Sequence, residues 1–219
     1  RTSFIDLRKS MNSYEYANSY NLGQAYDAYV TGNLTRRFSD KVIEKYRTQS
    51  DPILYPDVNW TDLLVSDASY QTQTNIDISG GTERVKYFFS AGYFTQDGLF
   101  NTDVYDPGYD YQLKYRRYNL RSNFDFNINK NLKVSFDLST QMDDTRGPNW
   151  STSSFMNMLV TVPSTISLGV VDNKIVMVPT TAQIPASTPM VAFIKGNHKD
   201  YANFLNGSIR VNYKMDYLT

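Results

Sequence analysis

Between residues 69 and 142 apolar and polar side chains alternate with a period of two. Over 70–79, Tyr70, Thr72, Thr74, Ile76 and Ile78 share one face, and Gln71, Gln73, Asn75, Asp77 and Ser79 share the other. That spacing predicts a half-polar β-strand. Residues 84–96 follow, rich in aromatic and β-branched side chains. Residues 115–128 alternate again, with Tyr118, Leu120, Ser122, Phe124 and Phe126 against Arg117, Asn119, Arg121, Asn123 and Asp125. Residues 131–142 set Leu132, Val134, Phe136 and Leu138 against Lys133, Ser135 and Asp137. A fifth alternating run covers 201–214. The pattern predicts five strands at 70–79, 84–96, 115–128, 131–142 and 201–214, antiparallel neighbours in sequence order.

The connections differ in length. Gly80 and Gly81 open a tight turn over 80–84, and Asn129, Lys130 and Asn131 form another. The segments 97–115 and 143–200 are long. Strands of about ten residues suit a tilted bilayer crossing, and short turns alternating with long loops are the habit of outer-membrane barrels. A soluble sandwich or propeller shares the alternation. The barrel reading is all-β: an antiparallel up-and-down transmembrane barrel portion with long extracellular loops and short periplasmic turns. It turns Tyr118, Leu120, Phe124, Phe126, Leu132, Val134, Phe136 and Leu138 to lipid. Arg117, Arg121, Asp125, Lys133 and Asp137 then face the lumen.

Outside the strands, 13–29 has partly helical spacing, with Ser13 as N-cap and Gly32 as stop. Residues 39–47 form a second helix capped by Ser39. Residues 51–68 read as a loop carrying Trp60 and the Leu63-Leu64-Val65 run. Within 143–200, a helical turn is expected at 155–159 and a short strand at 174–178. A loop this long is functional or disordered rather than a plain connection.

Composition narrows the class. The chain of 219 residues has no Cys, a net charge of +0, a pI near 6.8 and a mean hydropathy of −0.48. No apolar run is long enough for a membrane-spanning helix, so a spanning fold must use strands. The neutral balance gives no electrostatic surface for nucleic acid. Aromatics make up 15% of the chain, 18 of them Tyr, which suits interfacial girdles and sugar or peptide contact surfaces. The chain begins at Arg1 and ends with a strand in progress, as a piece of a longer polypeptide would.

Catalytic chemistry has little to stand on. The single histidine, His198, lies beside Gly196-Asn197, with no nucleophile–base pair, metal-spaced cluster or phosphate loop. No catalytic, cofactor or metal residues are assigned. Asp97, Asp103, Asp106 and Asp110 could supply calcium ligands, but their spacing matches no calcium loop. Arg117, Arg121 and Asp125 read as a charge ladder lining a wet lumen. Tyr105, Tyr109, Tyr111 and Trp150, in the long loops, are candidate rings for stacking on a sugar or packing against a partner. The plainer alternative is that they fold the loops onto themselves.

Several motifs stand in a distinctive order: Tyr14-Glu15-Tyr16-Ala17-Asn18, Tyr55-Pro56-Asp57-Val58-Asn59-Trp60, Ser79-Gly80-Gly81-Thr82-Glu83-Arg84-Val85-Lys86-Tyr87-Phe88, Gly92-Tyr93-Phe94-Thr95-Gln96-Asp97-Gly98 and Arg117-Tyr118-Asn119-Leu120-Arg121-Ser122-Asn123. Together they resemble the SusC/RagA-like TonB-dependent outer-membrane transporters of Bacteroidota, over nearly the whole chain and least clearly over 143–195. The resemblance implies that residues 1–219 are part of a 22-stranded barrel, with the plug domain and remaining strands outside this chain. It implies a SusD-like surface lipoprotein partner, energy from the TonB complex through the missing plug region, and oligosaccharide or peptide cargo. It carries no catalytic residues and implies no cofactor. The expected function is nutrient import across the outer membrane. The alternative is a non-transporting β-rich surface protein that binds glycans or mediates adhesion.

Overall fold

The computed structural model describes residues 10–32, 36–176 and 188–215. It divides into two compact units. One comprises the described residues within Ser69–Gly98, Leu113–Gly147 and His198–Thr219, and the other those within Arg1–Ala68, Leu99–Gln112 and Pro148–Asn197.

The first unit is a five-stranded sheet: β1 (Gln71–Gly81), β2 (Val85–Asp97), β3 (Lys114–Asn127), β4 (Leu132–Pro148) and β7 (Asn197–Tyr213), in the order β1-β2-β3-β4-β7. β1 to β4 pair as successive antiparallel neighbours. Against β4, Lys214 N donates to Asn131 O at 2.8 Å and Ser208 Oγ lies 3.1 Å from Asp137 Oδ2. These two contacts run in opposite chain directions, so β7 is antiparallel too. The antiparallel up-and-down sheet expected from the alternation is the observed fold; these five strands form an open sheet, not a closed barrel.

Two tight turns set the register. At the first, Thr82 N donates to Val85 O at 2.6 Å, and the Thr82 hydroxyl accepts from Arg84 N and Val85 N. Gly81, at φ 156°, has no room for a side chain, because an added Cβ would meet the Val85 carbonyl and Lys86 Cα. At the second, Asn129 Oδ1 accepts from Asn131 N and Leu132 N, both at 2.9 Å, an Asx turn.

Most strand ends agree with the alternation to within one or two residues. β4 and β7 are the exceptions. β4 continues to Pro148 rather than stopping at 142, because Asp143, Asp144, Thr145 and Arg146 keep pairing with Arg117, Arg116, Tyr115 and Lys114. β7 likewise begins at Asn197 rather than 201. Both faces are polar in these extensions, so the hydrophobic period ends while the backbone ladder goes on.

Directly paired residues share a face. One face therefore carries Ile76, Ile78, Phe89, Tyr93, Tyr118, Leu120, Phe124, Phe136 and Leu138. Over Thr72–Gly80, Val85–Thr95, Tyr118–Phe126 and Val134–Met142 its positions hold no Asp, Glu, Lys or Arg. The opposite face carries Asp77, Lys86, Arg117, Arg121, Asp125, Lys133, Asp137 and Asp143, together with Phe88 and Phe94. The two groups separated by alternation in β3 and β4 thus lie on opposite faces.

The second unit packs α1 (Ser13–Thr31), α2 (Asp40–Thr48), α3 (Trp60–Leu64), α4 (Thr152–Thr161), α5 (Val191–Ile194) and a two-stranded ribbon of β5 (Val170–Val171) and β6 (Lys174–Ile175). The N-cap of α1 is Asn12, not Ser13. Asn12 Oδ1 accepts from Glu15 N at 2.8 Å, and Glu15 Oε2 accepts from Asn12 N in return. Ser13 is instead buried, its hydroxyl donating to Pro56 O at 2.6 Å and its amide to Asp57 Oδ1 at 2.7 Å. Gly32 closes α1 at φ 77°, and Ser39 caps α2, both as expected. The 51–68 loop folds partly into α3, capped by Asn59, with Trp60 and Leu64 buried. The helical turn at 155–159 extends into all of α4, and the strand at 174–178 is the two-residue β6. Residues 177 and 178 lie outside the described residues.

Candidate functional site

The sheet presents one candidate surface, its charged face. Arg117 and Asp143 stand opposite each other on β3 and β4, with Arg117 Nε donating to Asp143 Oδ1 at 3.0 Å. The same oxygen accepts from Tyr115 Oη at 3.0 Å, and Gln141 Nε2 donates to the other oxygen at 2.9 Å. Asp125 accepts from Lys133 Nζ at 3.0 Å and Ser135 Oγ at 2.6 Å. Between these clusters, Arg121 Nε donates to Asn123 Oδ1 at 3.1 Å. The three residues singled out in β3 share this face, and the structure adds Asp143 as the acid that fixes Arg117. The surroundings are amides and hydroxyls, among them Asn75, Asn119 and Ser139. Such a wall can hydrogen-bond a polar solute or a packed polypeptide. It has no nucleophile–base pair.

The helical unit positions the aromatic candidates. Phe100, Tyr111, Phe155 and Phe193 form one cluster, with Tyr111 stacked on Phe193 at a centroid distance of 4.5 Å and Phe100 edge-on to Phe155 at 4.8 Å. Tyr111 is only 2% exposed, and its hydroxyl donates toward Tyr105 O at 2.8 Å and Thr102 O at 3.1 Å. Tyr111 is therefore a core residue of this unit. Its burial, with the charges of Asp103 and Asp106 nearby, pushes its hydroxyl up to about 12.

Tyr109 is half-buried; its hydroxyl donates to Phe193 O and accepts from Gly196 N, each at 2.8 Å. Tyr105 is half-buried and Trp150 partly so. Lys195 Nζ lies 4.5 Å from the Trp150 ring centroid, and the buried Trp150 indole N–H has no hydrogen-bond partner among the described residues. Asp106 and Asp110 serve as turn caps, accepting from Gly108 N and Gln112 N. Among the described residues no three His, Asp or Glu side chains gather as metal ligands. Phe155 and Phe193, the hub of this cluster, carried no signal of their own in the sequence, being two apolar residues in separate short helices.

No family model matches the chain. A TonB-dependent receptor of Formosa agariphila is 32% identical over 87 residues, which are 40% of this chain and 8% of that receptor. The solved RagAB peptide transporter is similar in structure, with a TM-score of 0.53 at 20% identity over 93% of this chain. The chain covers 24% of that transporter chain. The chain thus spans under a quarter of the length of the proteins it matches, and at that identity the structural likeness speaks for the fold. The resemblance carried by the sequence motifs, to TonB-dependent transporters with RagA among them, is found again in both comparisons.

Proposed function

We propose that this chain is part of the barrel wall of an outer-membrane active transporter of the TonB-dependent kind. One observation carries the reading. Over Thr72–Gly80, Val85–Thr95, Tyr118–Phe126 and Val134–Met142, the apolar face holds no charge yet stays exposed, with Ile76 61% and Leu120 49% accessible. A soluble protein seldom leaves so large an apolar surface uncovered, whereas hydrocarbon requires it. The stretch from Tyr118 to Phe126 runs roughly 27 Å along the strand, about 19–22 Å of height at a tilt of about 35–45°, which covers most of a barrel's apolar band of about 25 Å.

In this reading residues 1–219 belong to the barrel, and a plug elsewhere in the protein engages TonB. The face with Arg117, Arg121 and Asp125 looks into the lumen. The long connections hold Tyr105, Tyr109 and Trp150 on the outer side, toward cargo and a SusD-like lipoprotein. Cargo is an oligosaccharide or a peptide, and the chain performs no covalent chemistry. The similarity to a TonB-dependent receptor and to a peptide transporter supports this.

The test is single-cysteine labelling of the intact protein in outer membranes at positions 120 and 121. A lipid-phase reagent should modify position 120 and a water-soluble one position 121. The reverse pattern would overturn the assignment of faces.

A further inference from the structure

The apolar face ends, at the side of the long connections, in a row of cations. Lys114 of β3 stands directly opposite Arg146 of β4. The contacts of Asn131 with Lys214 and of Asp137 with Ser208 fix one register for β4 and β7, and Gly147, next to His198, agrees with it. In that register Lys199 is opposite Arg146, and Tyr201 is opposite Asp144. Lys114, Arg146 and Lys199 thus line up across three adjacent strands, and Arg116 follows in the next row on the same face.

Like charges directly opposite each other destabilise a sheet, and this row holds two such juxtapositions. Two carboxylates border it. Asp144 takes Arg146 at 2.8 Å, and Asp97 pairs in the ladder with Lys114. Four cations against two carboxylates leave an excess of positive charge. Arg116 and Lys199 have no side-chain hydrogen bond or ion pair among the described residues.

We propose that this rim binds the phosphate of an anionic lipid headgroup, with Arg116 and Lys199 as the principal ligands beside Lys114 and Arg146. The inference rests on the barrel-wall reading. The row adjoins the charge-free band on the same face, so its ligand must join an anionic head to an apolar body. A lipid does so, and basic clusters at a membrane boundary recognise such headgroups. Adjacent strands lie about 4.8 Å apart, so Lys114 and Lys199 are roughly 10 Å from each other, wide enough for a phosphorylated headgroup. Tyr118 and Tyr201 put amphipathic rings at the same boundary.

The experiment uses the intact protein in nanodiscs of phosphatidylcholine doped with phosphatidylglycerol, with retained lipid counted by mass spectrometry. Arg116→Gln and Lys199→Gln are made singly and together, and Arg210→Gln, on the other face, is the charge-matched control. Each rim cation removed should weaken phosphatidylglycerol retention by about fivefold, and Arg210→Gln should leave it unchanged. Equal retention by the double variant and the wild type overturns the proposal. So does displacement of the lipid by millimolar inorganic phosphate, which would mark a site for the free ion. If position 120 labels from the lipid phase while the rim variants behave as wild type, this proposal alone fails. If position 120 labels only from water, the wall reading fails and takes the proposal with it.

Discussion

Tyr87 lays its ring across Gly80 on the neighbouring strand: a Cβ built on the glycine would stand 2.5 Å from the Tyr87 hydroxyl oxygen and 2.7 Å from its ring carbon Cζ. The ring shields a stretch of strand that has no side chain of its own, beside the tight turn that starts the sheet. Gly80→Ala should cost little, about 0.5–1 kcal/mol, because the end of a flexible side chain can move. Gly81→Ala meets backbone atoms and a positive φ, and should cost more, about 1–3 kcal/mol. Equilibrium unfolding of the two variants in lipid vesicles checks the order. Equal costs would mean that the turn is not held as described.

The two faces of β3 predict opposite responses to one substitution. Leu120→Arg should destabilise the folded protein in a bilayer by about 2–4 kcal/mol, the cost of a cation near the middle of the lipid. Asn123→Arg, on the charged face, should change stability by less than about 0.5 kcal/mol. The same unfolding titration compares them, and a larger penalty at 123 would reverse the faces.

Arg117 and Asp143 are half-exposed and largely shielded respectively, at 41% and 16% side-chain accessibility. Solvent screening keeps such a pair modest, so a double-mutant cycle with Arg117→Gln and Asp143→Asn should return a small, favourable coupling. The coupling should shrink as salt is raised. A coupling indistinguishable from zero at low salt would mean that Tyr115 and Gln141 alone hold the carboxylate.

Tyr111 ties the helical unit to pH. Burial raises its folded-state hydroxyl to about 12, above the ordinary 10, so folding favours the protonated phenol. Its contribution is complete below pH 10 and is lost as pH rises through about 12. Thermal melts followed by near-ultraviolet circular dichroism should show a destabilisation in that window that is weaker in Tyr111→Phe. An identical alkaline loss in the variant would assign the effect to another group.

The sheet was largely legible because one face must be apolar wherever lipid or core covers it, which imprints a period of two on the sequence. Legibility stopped where that demand stops. Residues 143–146 keep the ladder but are polar on both faces, so only the backbone knows that β4 continues. The partner of Arg117 could have been found by counting: residues 117 and 143 lie equally far from the turn at Lys130. The helical unit resisted because its aromatic core draws Phe100, Tyr111, Phe155 and Phe193 from distant stretches, none with a period of its own. Asn12 was passed over as a cap for the adjacent Ser13, since both residue types cap helices and only the return bond from Glu15 separates them.

Along the charge-free band, the segregation of charge to the other side of the sheet gives the strands a reading frame of two. Losing one residue within β3 would exchange the faces of all that follows up to the next turn, moving Arg121 and Asp125 to where Leu120 and Phe124 stand. Losing two would shorten the strand and leave the faces in phase. The long connections have no such frame, and each doubling of a flexible loop costs only about 0.6 kcal/mol in closure entropy. Length changes inherited by this protein should therefore come in even steps in its strands, and in any number in the connections at 98–113 and 149–196 only outside their helices and aromatic cluster.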